Sequence, residues 1–149
     1  MSNFEYVVDI HAPTSHVWSV LVDVERWPEW TTSVTSAQRM EIGPLTLGSR
    51  TRLTQPRLSK AVWKVTSLDR ARGIFAWSTH ALGVKIVAYH QVEMLGSGSR
   101  VTLLIHYAGL LGPWMARLLR DLNWDYLARE GNGLKRFCEA QVAEPALSR

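Results

Sequence analysis

The feature that most constrains the fold of this chain is the succession of a strand, a proline, a short helix and a Trp-Pro-Glu-Trp turn near its start. Apolar residues alternate along residues 4–10, which is the period of a half-buried β-strand. Pro13 ends that pattern, and Thr14 and Ser15 then provide a cap for a short amphipathic helix. The aromatic turn at residues 27–30 closes the unit. The sequence therefore predicts a first strand followed by a short helix and a rigid aromatic turn.

Further segments with a period of two follow this unit, and short runs of turn residues separate them. They are residues 34–42, 48–55, 61–69, 73–79, 84–95 and 99–108. Consecutive short strands joined by tight turns form an antiparallel meander. Together with the first strand, they predict a seven-stranded antiparallel sheet.

The longest helical pattern runs over residues 113–142 and begins at Pro113. Proline suits the first helical position, because an amide hydrogen there would have no hydrogen-bond partner within the helix. Positions at about 100° per residue form one apolar stripe, made of Met115, Leu118, Leu119, Leu122, Tyr126, Gly133 and Phe137. Gly131 and Gly133 each cost about 1 kcal/mol relative to alanine in a helix, so they indicate a close approach of helix and sheet or a kink.

Trp124 points away from the stripe. It suggests a homodimer through the outer helix face, a membrane contact, or an isolated exposed tryptophan.

The length and composition fit one globular domain over residues 1–149, with an ordered core of about residues 3–142. No run of about 18 apolar residues occurs, so we expect no transmembrane segment. The formal charge is +4, with five cations close together between Arg50 and Lys64. Because no nucleic-acid-reading motif accompanies them, we expect no nucleic-acid partner. They fit an anionic ligand, a membrane surface or a solvated face.

The distribution of reactive residues excludes several kinds of site. The five histidines show no metal-ligand spacing, and no G-x-S-x-G motif or phosphate-binding glycine loop is present. We therefore expect neither a metal nor a cofactor. The single cysteine, Cys138, excludes an internal disulfide and is typical of a cytoplasmic protein.

In order and spacing, these segments resemble the START-like (SRPBCC) superfamily, in particular its polyketide cyclase/dehydrase and lipid-transfer proteins. Besides the opening unit, the resemblance is carried by Leu47-Gly48-Ser49-Arg50, Gln55-Pro56, Val62-Trp63-Lys64-Val65-Thr66, His90-Gln91-Val92-Glu93 and Tyr126-Leu127-Ala128-Arg129-Glu130. It implies an α+β helix-grip fold, in which a curved seven-stranded antiparallel sheet wraps around a long C-terminal helix and leaves a cavity. In this fold two short helices follow the first strand. The fold hosts carriers, sensors and cyclases, so the resemblance does not select an activity.

Side-chain alternation predicts which residues face this cavity. The set is mostly apolar and aromatic with a few polar groups, as is usual for a small-molecule pocket. Its members are Trp30, Gln38, Leu53, Trp63, Phe75, Trp77, His90, Tyr107, Met115, Leu119, Leu122 and Tyr126. The resemblance also implies that loops at one end form an entrance, with gate residues Pro56, Arg57, Leu58, Leu82 and Gly112.

Three functions remain open at this point. A carrier or sensor would bind a hydrophobic or aromatic small molecule such as a lipid or polyketide. A cofactor-free cyclase, aromatase or dehydratase would use His90 as general acid or base and Tyr107 as a hydrogen-bond donor to a carbonyl or enolate. An interaction protein would act through the face that carries Trp124. The alternative interpretation of His90 is a hydrogen-bonded core residue, which is the more common role of a single inward histidine.

Overall fold

The computed structural model describes residues 3–147, with side chains as far as Ala143. Its elements are β1 (Asn3–Ile10), α1 (Thr14–Val22), a 3-10 helix (Val24–Glu29), β2 (Ser36–Arg39), β3 (Arg50–Thr54), β4 (Ala61–Asp69), β5 (Ile74–Ala81), β6 (Val84–Leu95), β7 (Gly98–Ala108), α2 (Gly112–Leu118) and α3 (Arg120–Leu147). The strands form one antiparallel sheet in the spatial order β1-β7-β6-β5-β4-β3-β2. The helix α3 packs on β1, with further contacts to α1 and β7. The predicted seven-stranded helix-grip arrangement is confirmed.

The start of α1 differs from the prediction. Pro13 occupies the cap position with an extended backbone, and among the described residues no side chain caps this helix. The predicted Thr/Ser cap is therefore wrong. Burial of Val17, Trp18 and Leu21 holds the helix on the core instead, which fits the general finding that short helices depend on tertiary packing.

The predicted C-terminal helix is divided into two. The chain turns at Leu119, whose amide lies against the carbonyls of Met115 and Arg117, before α3 begins. A single progression of 100° per residue cannot continue through such a break, so the predicted stripe is only partly correct. Met115 and Tyr126 are buried as predicted, whereas Leu118 is exposed. The helix α3 also buries residues outside the predicted stripe, including Asn123, Leu127, Leu134 and Cys138. The helix also continues five residues beyond its predicted end, to Leu147.

Gly131 and Gly133 bring α3 into direct contact with the N-terminal part of the chain. A methyl group at Gly133 would lie 1.9 Å from the carbonyl oxygen of Trp30, and one at Gly131 would lie 2.7 Å from the ring of Tyr6. Both distances are far inside van der Waals contact. The close approach predicted from these glycines is confirmed.

Candidate ligand-binding site

The floor of the candidate site is the inner face of the sheet, which packs against the helices. Antiparallel register places Thr51 opposite Trp63 and Phe75 opposite His90. Directly opposed residues share one face of a sheet. The rings of Trp63 and Trp77 lie 5.8 Å apart on this face, and each of these side chains is buried. Aromatic rings with a few polar atoms make a floor typical of a small-molecule pocket.

Aromatic residues from the turn after α1 fill one end of this floor. The Trp27 ring centroid lies 5.3 Å from that of Trp30, 5.2 Å from that of Trp77 and 5.6 Å from that of His90. The indole nitrogen of Trp27 donates a hydrogen bond of 2.9 Å to the Leu21 carbonyl, which fixes its ring. Trp30, which was expected to line the cavity, is buried in this cluster.

His90 is almost completely enclosed, with 3% of its surface exposed. Its ring stacks on that of Phe75 with 4.9 Å between centroids and 15° between planes. The Nδ1 atom lies 2.9 Å from the carbonyl oxygen of Phe75, and Nε2 lies 3.1 Å from Oε1 of Glu130 on α3. The protein therefore engages both ring nitrogens of this histidine.

The hydrogen bonds of His90 restrict where protons can lie in the His90–Glu130 pair. A carbonyl oxygen only accepts hydrogen bonds, so Nδ1 of His90 donates to Phe75. The contact between Nε2 and Glu130 then requires one further proton, carried either on an imidazolium or on a carboxylic acid. In both states the two side chains satisfy each other, and they join β6 to α3 across the core.

Tyr107 is hydrogen-bonded in a similar way, to a residue near the start of α3. Its hydroxyl oxygen lies 2.8 Å from Nδ2 and 3.1 Å from Oδ1 of Asn123. The same Nδ2 donates a hydrogen bond of 2.9 Å to the carbonyl of Leu119, at the helix break. Burial raises the pKa of Tyr107, and the hydrogen bond from Asn123 opposes that shift. The phenol is therefore protonated at neutral pH and joins β7 to α3.

Sequence patterning misses Glu130 and Asn123, which partner the two predicted catalytic residues. They are seven residues apart and lie on the buried face of α3 together with Leu127. The predicted stripe was anchored at Met115 on α2, and the break between α2 and α3 separates that residue from Asn123 and Glu130. The helix break is the signal that was missing.

Several buried polar atoms of the site have no hydrogen-bond partner among the described residues. They are Nε1 of Trp63, Oγ1 of Thr51, the hydroxyl of Tyr126 and Nε1 of Trp30. An unsatisfied buried group costs about 1–3 kcal/mol, and most such groups in folded proteins are paired. Burial raises the pKa of Tyr126, while the guanidinium of Arg57 opposes this shift and so lies near it. These donors are suited to an oxygen acceptor on a ligand.

Gln38 does not face the site. It is exposed, whereas its neighbour Ala37 is buried and pairs with Leu53. The predicted inward orientation is wrong because it places the charged Arg39 outward, whereas Arg39 shares the face of the buried Ala37 and its guanidinium donates to the carbonyl of Pro44. Side chains alternate between faces only within a continuous strand.

The other predicted lining residues differ in burial. Leu53, Met115 and Tyr126 are buried, whereas Leu119 and Leu122 are half-buried. Leu119 nevertheless packs against the core cluster. These half-buried leucines lie at the break between α2 and α3 and in the first turn of α3.

The predicted gate loops lie at one end of the sheet, because β3, β5 and β7 run in the same direction and all end there. Pro56 is half-buried, Arg57, Leu58 and Leu82 are exposed, and Gly112 is buried. Arg57 and Leu82 have positive φ angles of 65° and 51°, a region that residues other than glycine rarely adopt. Their role as gates stays a prediction.

A family model described as polyketide cyclase/dehydrase and lipid transport matches residues 1–139. The chain belongs to this family. Among solved structures it is similar to the Zhui aromatase/cyclase from Streptomyces sp. R1128, with 21% identity, a TM-score of 0.76 and 94% of each chain covered. It is also similar to Ara h 8.0201, with 13% identity, a TM-score of 0.72 and coverage of 93% of this chain and 97% of the other.

A third similar structure is the major latex-like protein 151 from Panax ginseng, with 12% identity, a TM-score of 0.70 and coverage of 91% of this chain and 96% of the other. At these identities the structural matches show the fold alone. No curated protein sequence matches the chain significantly. The resemblance to the START-like superfamily is thus confirmed.

This member of the polyketide cyclase/dehydrase and lipid transport family also has a groove of about 780 Å³ at the edge of its sheet. The groove is lined by Asn3, Phe4, Pro113, Trp114, Ala116, Arg117, Arg120 and Trp124. Trp124, expected on the outer helix face, is 44% exposed and packs edge-to-face on Phe4 at 5.5 Å. None of the predicted cavity residues lines this groove.

Two further findings concern metals and membranes. Within the described part of the chain, no three His, Cys, Asp or Glu side chains are grouped closely enough to hold a metal ion. None of the described helices combines the length and the hydropathy that crossing a bilayer requires.

Cys138 offers a simple reporter of the folded state. It is fully buried on α3, and burial raises the pKa of its thiol to about 12. Since only the thiolate reacts readily, we expect a maleimide to leave the native protein unlabelled near neutral pH. The same reagent should label the protein in concentrated guanidinium chloride, as mass spectrometry would show. Rapid labelling of the native protein would contradict the buried position.

Proposed function

We propose that this protein binds a hydrophobic or aromatic small molecule that carries oxygen acceptors, between the sheet and the C-terminal helix, as a carrier or sensor. The observation that supports this most directly is the unpartnered set of buried donors at Trp63, Thr51 and Tyr126. A purely apolar ligand would leave these atoms unpaired. A ligand with carbonyl, phenol or carboxylate oxygens would satisfy them.

The geometry of His90 favours binding over catalysis. Its ring nitrogens are engaged by Phe75 and Glu130, so neither is free to take a proton from a ligand. Tyr107 is likewise engaged by Asn123. A general acid or base must reach the reacting group within hydrogen-bond distance. These two residues therefore hold the sheet and α3 together through hydrogen bonds.

One observation supports the second candidate, a cofactor-free polyketide cyclase, aromatase or dehydratase. The His90–Glu130 pair holds an exchangeable proton inside an aromatic interior, which such a reaction would use if Glu130 moved away. Native mass spectrometry of freshly purified protein separates the candidates. A carrier releases its bound molecule unchanged after extraction, whereas a cyclase converts an added poly-β-ketone into a cyclised product.

The predicted hydrogen bond to the ligand can be tested at Tyr126. We expect Tyr126→Phe to weaken binding of anilinonaphthalene sulfonate about tenfold, which corresponds to the loss of a hydrogen bond to a charged acceptor. Binding of phenylnaphthylamine, which has the same rings without the sulfonate, should not change. Without any probe, the variant should be slightly more stable than the parent, because an unpaired buried hydroxyl is removed. Fluorescence titrations and thermal unfolding measure these effects.

Tyr107→Phe is the matched control, because the Tyr107 hydroxyl has a partner in Asn123. This variant should lose about 1 kcal/mol of unfolding free energy and bind both probes like the parent. Equal effects of Tyr126→Phe on the two probes, or no effect on either, would contradict the proposed site.

Two further predictions from the sequence belong to this proposal. A cytoplasmic location rests on the presence of a single cysteine, Cys138. A homodimer through the outer face of the C-terminal helix rests on the exposure of Trp124. Both stay predictions, as does the absence of a nucleic-acid partner.

A further inference from the structure

The short helix α2 is apolar on two faces, and the protein covers only one of them. Met115 and Ala116 are buried in the core. Leu111, Trp114 and Leu118 are spaced three and four residues apart and so share the opposite face. Their exposed fractions are 48%, 56% and 66%. Apart from Arg117, the exposed side of α2 is apolar, and grouped exposed apolar side chains mark interaction surfaces, so this second face indicates a binding surface.

A strained turn presents another apolar side chain beside α2. Leu82 and Gly83 form the two-residue connection between β5 and β6, and both have positive φ angles, of 51° and 75°. Such turns favour asparagine followed by glycine, yet a leucine stands here with 78% of its surface exposed. The Gly83 carbonyl lies 3.2 Å from the position of a Cβ on Gly109. The turn therefore adjoins the segment that leads into α2.

The exposed apolar residues at this end form what we name the apolar rim, which consists of Leu82, Leu110, Leu111, Trp114 and Leu118. Exposed cations at the same end form what we name the cationic collar, which consists of Arg57, Lys85, Arg117 and Arg120. Two acidic residues lie nearby. Asp121 is 3.6 Å from Arg120, and Asp125 is paired with Arg129. The net charge around the rim is positive.

We propose that the apolar rim docks into the surface of an anionic lipid bilayer while the cationic collar contacts the lipid headgroups. Exposed tryptophan and leucine flanked by arginine and lysine are the composition of segments that bind in the membrane interface. The gate loops lie at the same end, so docking would bring the entrance of the binding site to the bilayer. The inference goes beyond the proposed function, because docking needs no bound ligand.

Charge decides between a bilayer and a second copy of the chain as the occupant of this surface. A twofold dimer places the same patch of both subunits together, which would bring Arg117 and Arg120 of each copy close to those of the other. Repulsion between these cations opposes such a dimer. The negative surface of an anionic bilayer attracts them instead. Leu82 also projects from the tip of a turn, which suits insertion into a deformable surface.

The test is sedimentation of the full chain with vesicles of phosphatidylcholine, with and without phosphatidylserine. We expect binding to the anionic vesicles only, and its loss at high salt. Leu82→Asn should weaken binding at least tenfold, because asparagine keeps the turn but removes the apolar side chain. Met94→Asn is the matched control, since Met94 is equally exposed, at 78%, near the opposite end of β6. It should bind like the parent.

Charge reversal at Arg117 and Arg120, in the double variant Arg117→Glu/Arg120→Glu, should abolish the preference for phosphatidylserine. Circular dichroism and unfolding curves establish that each variant is folded. No binding to anionic vesicles, or equal loss in Leu82→Asn and Met94→Asn, would overturn the proposal. So would a stable dimer in analytical ultracentrifugation that Trp114→Ala dissociates, because a second copy would then occupy the surface.

Discussion

Replacing His90 with leucine is expected to lower the free energy of unfolding by about 3–5 kcal/mol, because it breaks a buried pair and leaves Glu130 without its partner. The side chain of Glu130 is 13% exposed, so water cannot replace the imidazole fully. The same change removes the hydrogen bond to the Phe75 carbonyl. Denaturant unfolding measures the loss.

Three further variants test whether the loss comes from the interaction between His90 and Glu130. His90→Gln keeps a donor for Glu130 but loses the bond to Phe75, so it should cost only about 1–3 kcal/mol. Glu130→Leu alone should be about as harmful as His90→Leu. The double variant His90→Leu/Glu130→Leu should recover much of the loss, since a well-packed apolar pair often replaces a buried polar pair without penalty.

Probe binding by these variants decides the role of His90. If it ties β6 to α3, the folded fraction of His90→Gln should bind anilinonaphthalene sulfonate like the parent. Parental stability with impaired binding would instead make His90 a ligand-contacting residue. Parental stability with impaired turnover of an added poly-β-ketone would make it catalytic, and the cyclase hypothesis would replace the carrier hypothesis.

The second large effect is expected at Gly133. Alanine normally stabilises a helix by about 1 kcal/mol relative to glycine, but at Gly133 the added methyl group would lie 1.9 Å from the backbone carbonyl of Trp30. Backbone at this turn cannot move without displacing the Trp27–Trp30 cluster. We therefore expect Gly133→Ala to destabilise the protein by about 3 kcal/mol, the upper part of the range for overpacked cores.

Gly131→Ala is the control for this prediction. The methyl group there meets the ring of Tyr6 at 2.7 Å. Tyr6 is only half-buried, so its side chain can rotate away from the helix. Part of the clash is thereby relieved, and the loss should be clearly smaller than at Gly133. If both variants unfold at the same denaturant concentration, contact with the Trp30 backbone does not limit the packing of α3.

Strand positions were predictable from this sequence because they depend on local alternation. The long pattern at residues 84–95 coincides with β6, and Phe75, Trp77 and Leu53 are buried as the period of two requires. Gln38 is an exception to this agreement. Its predicted face depends on placing the charged Arg39 outward, but Arg39 lies on the same face of β2 as the buried Ala37, and a shift of one residue reverses the face of every side chain in a strand.

Helix positions were less predictable, because a break changes the angle of every later residue. The spacing of apolar residues from Met115 to Leu122 is compatible with one helix or with two. Only the packed structure places the turn at Leu119, where Asn123 binds its carbonyl and also holds Tyr107. That network depends on residues on β7 and α3 meeting in space, which no local pattern contains.

The sequence by itself determined the order of the elements and the aromatic character of the interior, because both follow from local periodicity and composition. The family followed from the resemblance of its segments, in order and spacing, to known proteins, and the family model over residues 1–139 agrees with it. Tertiary structure alone decided the partners of the polar groups. It paired His90 with Glu130 forty residues away and left polar atoms of Trp63, Thr51 and Tyr126 without a hydrogen-bond partner in the described part of the chain. Hydrogen bonds form between atoms close in space, and the fold sets those distances only when sheet and helices have packed.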